Sequence, residues 1–565
     1  LKRFFPSAFL VPLFLVAAVF GVFGKSLAFD FVYDDHETIV DNPAVRSIEN
    51  APSFFFDRDT TSDNTPLRRE IYRPLKTLSA ALDYFFHGPR PAGYHLTNLL
   101  VHTATVLLLF LMLGQAGFSG FARFLPALAF AVHPALAHNV AYVSGRADML
   151  AAVFLLSALT TSFGFSQESA PPLSWFFFLL ACLSKENAAA FPLFMSAWFF
   201  YRRDSLKHAL PYWIILLGYL VARSAVVGHL AQREYVGGSL AVTQASMVKA
   251  WFLYITGFFW PVKTGILPDL GVESSWMNAR SLAAGALLLL FAAATVRLER
   301  RRLKVLPGAA WFVLFLLPAA NWIPIKALFS WRFAYVSWIG ACWSLAAVLS
   351  KMGRHGVIRI VSFVWVGALA AFTFVVIEPF RNDLALWHPM IVRAPHLSKP
   401  YRVVAAIHLR EEKPEKALGV LLLGNSRIPD DPRLALDLAR TLISKKRYAA
   451  ALEVLRRVPD RHKRIEGKSF ALTFAFAAYQ ARNYRAVLET VEWDAPERAP
   501  AELLTLQAHA AALLEHYSLA EILYRELLSR DISPKRRADA MNILARIRAR
   551  EEKNIEPQRS QKTQK

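Results

Sequence analysis

Long apolar runs dominate the first two-thirds of this chain, and no other feature limits its folding so tightly. Runs near 4–24, 96–118, 124–143, 147–165, 209–228, 281–296, 307–325, 331–350 and 357–378 carry few charges. A helix rises about 1.5 Å per residue, so ~20 apolar residues cross the ~30 Å hydrocarbon core of a bilayer. Inside that core every backbone N–H and C=O must bond within the chain, which leaves helices as the form such runs take. The stretch 172–201 is also apolar, but Ser184-Lys185-Glu186 interrupts it, and two short spans meeting at a polar break are expected. The segment 248–268, with Pro261 and several Trp and Phe residues, reads as re-entrant or interfacial. About eleven crossings follow.

Short basic loops set the orientation. Lys2 and Arg3, then Arg202, Arg203 and Lys207, then Arg297–Lys304, then Lys351, Arg354 and Arg359 are expected on the cytoplasmic side. With 248–268 not crossing, the N-terminus lies inside and the tail outside; a crossing there would reverse the tail. The first run has the charge pattern of a signal peptide, but no small-x-small site precedes Lys25, and it reads as a retained anchor. Five polar segments then reach the outer face together: the loop 25–93, His133–Asp148, the Ser184-Lys185-Glu186 break, 229–280, and the turn Lys326–Arg332.

Residues 379–565 are rich in Arg, Lys and Glu, although only 19% of the whole chain is charged. Two regimes in one chain separate a membrane part from a water-soluble part. The net charge of +22 does not point to nucleic acid, because the cations sit in span-end loops or alternate with acids on solvated helix faces. Cys182 and Cys342 fall within apolar runs and read as small core residues rather than a disulfide framework.

The tail repeats itself. Ala417, Ala451, Ala486 and Ala520 share one register, Tyr448-Ala449-Ala450-Ala451-Leu452-Glu453 resembles Tyr484-Arg485-Ala486-Val487-Leu488-Glu489, and Tyr517 opens another copy. Paired helices at a period of ~34 residues are the mark of tetratricopeptide repeats. The expected fold is all-α: a polytopic transmembrane helical bundle over 1–380, tetratricopeptide-type repeats over 381–550, and a polar disordered tail over 551–565.

Several polar groups in this frame could carry chemistry. Asp34 and Asp35 follow the first span directly, suited either to general-base work on a hydroxyl or to capping a loop. Tyr72-Arg73-Pro74-Leu75 precedes an amphipathic segment, Leu78–Phe86, which reads as an interfacial helix. His95, Asn98 and His102 share one helix face, looking into a wet cavity or bonding neighbouring helices. His133 and His138 end one span, and Arg146 and Asp148 open the next. Arg146 either pairs with Asp148 or holds a phosphate, to which a planar guanidinium is suited. Lys185, Glu186 and Arg332 carry the same ambiguity. Four cations near one face (Arg146, Lys185, Arg223 and Arg332) favour an anionic ligand. No Walker-type loop, dinucleotide fingerprint, Cys/His zinc spacing or serine elbow occurs, so a nucleotide donor has no evident soluble domain.

The ordered set Asp34-Asp35, Tyr72-Arg73-Pro74-Leu75, Gly93-Tyr94-His95-Leu96-Thr97-Asn98-Leu99-Leu100-Val101-His102, His133-Pro134, Gly145-Arg146-Ala147-Asp148, Leu183-Ser184-Lys185-Glu186 and Arg381-Asn382, followed by helical repeats, resembles the TMTC family of O-mannosyltransferases and its bacterial relatives. That family falls in the GT-C class of glycosyltransferases, and the resemblance spans most of 28–380. It implies transfer of a sugar from a polyprenyl-phosphate carrier to a protein, lipid or glycan hydroxyl on the outer face. It further implies a bacterial inner membrane with the repeats in the periplasm, where they engage the acceptor. Asp34 or Asp35 is the implied base, and Arg146, Lys185, Arg332 and Arg223 the implied partners of the carrier phosphate. Leu136 and His138 stand where a His and a Glu are expected, and Trp331 where an acid is expected, so a divalent metal and the donor sugar stay open. A non-catalytic scaffold and an oligosaccharide ligase or polymerase are the competing classes; the early position of the acidic pair disfavours the ligase.

Overall fold

The computed structural model describes residues 10–61, 71–163, 171–228, 235–261, 270–273, 279–325, 327–352, 355–490 and 499–562. Residues 4–9 of the first run, 262–268 of the segment read as re-entrant, Lys326 and Arg354 lie outside that set. Among the described residues there is no strand, and the chain divides into two units at Leu386/Trp387.

The first unit holds helices α1 Leu10–Phe23, α2 Pro74–His87, α3 Pro91–Gln115, α4 Gly120–Ala131, α5 Ala137–Val140, α6 Arg146–Phe163, α7 Pro172–Ser184, α8 Phe191–Arg202, α9 Leu210–Val227, α10 Leu240–Phe259, α11 Ala279–Arg300, α12 Leu306–Leu316, α13 Ala334–Met352 and α14 Gly356–Val376. A last helix, α15 Asp383–Arg393, begins in this unit. Among the described residues, seven segments are long and apolar enough to cross a membrane, or eight if the bent pair Gly120–Ala131 and Pro134–Val140, kinked by 45°, is one span. This is an integral multi-pass membrane protein.

Among the described residues, the segments of span length and composition are fewer than the eleven crossings expected. The two pieces flanking Lys185 are helices of 13 and 12 residues, only about 20 Å each at 1.5 Å per residue. α12 has 11 residues. The described part of the segment read as re-entrant or interfacial holds the second half of α10, a continuous 20-residue helix. Polar residues such as Gln244 and Lys249 lower its hydropathy, and Lys249 pairs with Glu273.

Burial sorts the helices. The segment Val143–Phe163 has 78% of its apolar window inside the protein, whereas Ala279–Arg300 has 11% and presents Leu282, Leu287, Leu289 and Leu290 outward. Outward leucines on a span face lipid tails and cost nothing there. Close packing relies on small residues: Gly308 of α12 and Gly340 of α13 meet backbone to backbone, leaving no room for a Cβ on either.

The second unit is a stack of helix pairs: α16 Ser398–Arg410 with α17 Pro414–Arg427, α18 Pro432–Ser444 with α19 Tyr448–Arg456, α20 Asp460–Gln480 with α21 Tyr484–Glu489, and α22 Ala501–Leu513 with α23 Tyr517–Leu528. α24 Pro534–Lys562 closes it. Ala417, Ala451, Ala486 and Ala520 are all fully buried, where the paired helices approach most closely. The turn inside each pair carries one left-handed residue, Glu412, Lys446, Arg482 or Glu515, with φ of 57–60°. Such a residue ends the first helix of the pair. The same turn conformation recurring four times is a structural repeat, of tetratricopeptide type.

Candidate active site

The acidic doublet sits just beyond the first span on an unusual piece of backbone. Tyr33 is left-handed, with φ 56°, a conformation that costs a non-glycine residue about 1–2 kcal/mol. One turn of π-helix, His36–Val40, follows the doublet. Both features are rare and tend to occur at functional sites.

The two carboxylates have different surroundings. Asp35 has no solvent exposure; one oxygen accepts the Ser144 amide at 2.7 Å and the other the Val32 amide at 3.1 Å. Burial pushes its carboxyl up to about 6, against the hydrogen bonds from Ser144 and Val32 that pull it down. Asp35 thus fastens the loop after α1 to the segment just before α6. Asp34, 7% exposed, lies within electrostatic reach of Tyr142, as do Asp35 and Arg332. The Tyr142 ring stacks on Tyr33 at 6.1 Å, and its hydroxyl is buried without a hydrogen-bond partner. An orphaned buried hydroxyl is uncommon and demands a reason.

The cations divide as well. Arg146 is 2% exposed; it pairs with Asp83 at 2.5 Å, gives Nε–H to Asn98 Oδ1 at 2.7 Å and Nη2–H to the Tyr94 carbonyl at 2.8 Å. Its pairing with Asp148 is corrected to Asp83, and it is fully engaged within the protein rather than presented to a phosphate. Asp148 pairs instead with Lys185, and Glu186 with Arg73 at 2.8 Å. Lys185 lies within reach of both Arg73 and Arg332, and Glu186 within reach of Arg223. Arg332 has a buried Nε without a partner and no carboxylate at ion-pair distance among the described residues. These groups stand where α2, α6, α7 and α13 begin or end.

Two of the histidines, His102 and His133, bond to backbone carbonyls of neighbouring segments. His102 gives Nε2–H to the Ala131 carbonyl and accepts at Nδ1 from the Tyr335 hydroxyl at 2.7 Å. His133 accepts the Ala135 amide at Nδ1, so its Nε2–H donates to the Phe258 carbonyl at 3.1 Å. His95 is buried edge-on to Phe29, and His138 packs on Phe380 at 5.4 Å. Asn98 fans its amide over the carbonyls of Asn139, Val140 and Tyr142. Helix-to-helix bonding therefore accounts for Asn98 and His102 on the polar face of α3, whereas both ring nitrogens of His95 are buried without a hydrogen-bond partner among the described residues.

A divalent metal does not fit these residues. Among the described residues no three His, Cys, Asp or Glu side chains converge, and Asp83, Asp148 and Glu186 are each held by a cation. Asp83, Tyr142, Phe380 and Asp383 are site neighbours that sequence reasoning missed. Asp83 alone had a signal, being a lone acid in an otherwise apolar interfacial helix.

The fold and this cluster define a multi-pass membrane protein that gathers acids and cations where its helices end. The chain is similar to TMTC protein O-mannosyl-transferases. It is 36% identical to protein O-mannosyl-transferase TMTC1 of Mus musculus over 193 residues, 32% of this chain and 20% of the relative. It is 36% identical to protein O-mannosyl-transferase F38B6.6 of Caenorhabditis elegans over 139 residues, 23% of this chain and 19% of the relative. It is 32% identical to protein O-mannosyl-transferase TMTC4 of Homo sapiens over 177 residues, 28% of this chain and 24% of the relative. The chain thus spans about a fifth of the length of the curated relatives it matches. No family model matches it.

Proposed function

We propose that this chain is a GT-C-type membrane glycosyltransferase that moves a sugar from a polyprenyl-phosphate carrier to a hydroxyl acceptor on the outer face of the membrane. The observation that carries this reading is the buried, unpartnered Tyr142 hydroxyl within electrostatic reach of both the acidic doublet and Arg332. A polar interior with a base on one side and a cation on the other suits acceptor and lipid phosphate respectively. Asp34 takes the acceptor proton as the new bond to the anomeric carbon forms. The bond from that carbon to the phosphate oxygen breaks, the electron pair leaves with the phosphate, and Arg332 stabilises the charge. Asp35 orients the loop.

The relatives' names make mannose the first donor sugar to try. The inner membrane of a bacterium, with the repeats in the periplasm, is the proposed setting. A cavity of about 470 Å³ lined by Arg440, Phe476, Glu502 and Arg536 offers the repeats a surface for a protein or glycan acceptor.

The test uses the full chain in lipid vesicles with tritiated mannose on polyprenyl phosphate and a Ser/Thr-rich peptide. Transfer of label to the peptide is expected, with a fall of roughly 10²–10⁴-fold in Asp34→Asn and unchanged membrane insertion. Wild-type transfer in both Asp34→Asn and Asp35→Asn overturns the assignment.

A further inference from the structure

The loop that bears the doublet is tied to the segment following the last span. Lys25 pairs with Glu378, and the Asp30 amide donates to the Arg381 carbonyl at 2.9 Å. Phe380, 1% exposed, packs its ring on both His138 and Tyr142. The last tie is the most specific. Asp383 Oδ1 accepts the Tyr33 amide at 2.9 Å, while its Oδ2 accepts from His36 Nε2 at 2.6 Å. One carboxylate thus grips the backbone immediately before the doublet and the side chain immediately after it. The residue whose amide it holds is the left-handed Tyr33.

We propose that Asp383 is a positioning residue, whose two-oxygen clamp on Tyr33 and His36 fixes the direction in which Asp34 faces the site. A strained dihedral persists only where its surroundings over-determine it, and the Tyr33 amide bond to Asp383 supplies that constraint from 350 residues away in sequence. Its catalytic consequence rests on the glycosyltransferase reading; the clamp does not. A change of about 1 Å at a reacting group costs on the order of 10²-fold in rate, so loosening the clamp lowers kcat without touching the carrier's binding.

Two variants separate positioning from chemistry. Asp383→Asn keeps an oxygen for the Tyr33 amide and an amide group for the neutral His36 ring, whereas Asp383→Ala removes both. Hydrogen exchange on the full chain in detergent, read on peptides covering 29–40, is expected to quicken at least tenfold in the Ala variant and to stay near wild type in the Asn variant. In the vesicle assay with polyprenyl-phosphate mannose, kcat is expected to fall roughly 10- to 100-fold in Asp383→Ala, with KM for the carrier unchanged, and less than about threefold in Asp383→Asn. Unchanged exchange in Asp383→Ala overturns the clamp whatever the enzyme does. Quickened exchange with wild-type kcat overturns its positioning role. Quickened exchange in a chain whose wild-type form transfers no sugar upholds the clamp and counts against the glycosyltransferase reading alone. An equal loss of kcat in the Asn and Ala variants overturns positioning in favour of direct chemistry.

Discussion

Arg146 and Asp83 form an ion pair 2.5 Å apart, with side chains only 2% and 7% exposed. The pair joins the N-terminus of α6 to α2. Removing one member of a buried pair strands the other charge and typically costs about 3–5 kcal/mol. Arg146→Ala and Asp83→Ala are each expected to lower the unfolding midpoint of the detergent-solubilised protein steeply. The double variant should lose less than the sum of the two. Additive losses would mean that the charges are not coupled.

Asp35 gives a pH dependence whose sign is fixed. Its carboxyl, raised by burial from 3.8 to about 6, holds a proton more tightly in the folded chain than in the unfolded one. Protonation therefore favours folding, and the Asp35 contribution to stability falls as pH rises between those two values, by roughly 3 kcal/mol. The difference in unfolding midpoint between wild type and Asp35→Asn, followed from pH 3.5 to 7.5, should decline across that window and level off above it. A difference that climbs with pH contradicts the burial.

Arg332 has no carboxylate partner among the described residues, so its loss should spare the fold. Arg332→Ala is expected to reduce transfer from polyprenyl-phosphate mannose about 10- to 100-fold, with an unfolding midpoint close to wild type. Arg332→Lys should recover part of it, since an ammonium keeps the charge but not the planar fork. Full activity in Arg332→Ala removes Arg332 from the site.

Sidedness has a direct readout. Ser518 is exposed in the repeat unit, while Cys182 and Cys342 are buried. In Ser518→Cys, an impermeant maleimide should label intact cells. Labelling only after the membrane is opened puts the repeats in the cytoplasm.

Element identity was legible in the sequence wherever one physical demand dominates. Spans such as Pro91–Gln115 announce themselves because a bilayer requires ~20 apolar residues in a row, and the repeats because Ala417, Ala451, Ala486 and Ala520 must be small where two helices touch. The expected crossings outnumber the long segments because apolarity alone does not separate a full-length span from a shorter apolar helix such as α12.

The candidate site was legible as a set of residues but not as a set of partners. Composition places Arg146 and Asp148 two residues apart, yet only the folded chain shows that α2 brings Asp83 to the first and α7 brings Lys185 to the second. Asp383 was invisible for the same reason: its function depends on contacts with Tyr33 and His36 at the far end of the chain.

The most direct test of the central claim, that the acidic doublet and Arg332 line one pocket for a lipid phosphate, is photo-cross-linking. A polyprenyl phosphate with a photoreactive group beside the phosphate would be irradiated with the full chain in vesicles, and the adducts mapped by mass spectrometry. Adducts on the peptides bearing Asp34 and Arg332, lost on competition with unmodified polyprenyl phosphate, are the expected result. Adducts confined to lipid-facing helices such as α11, unaffected by that competition, would contradict it.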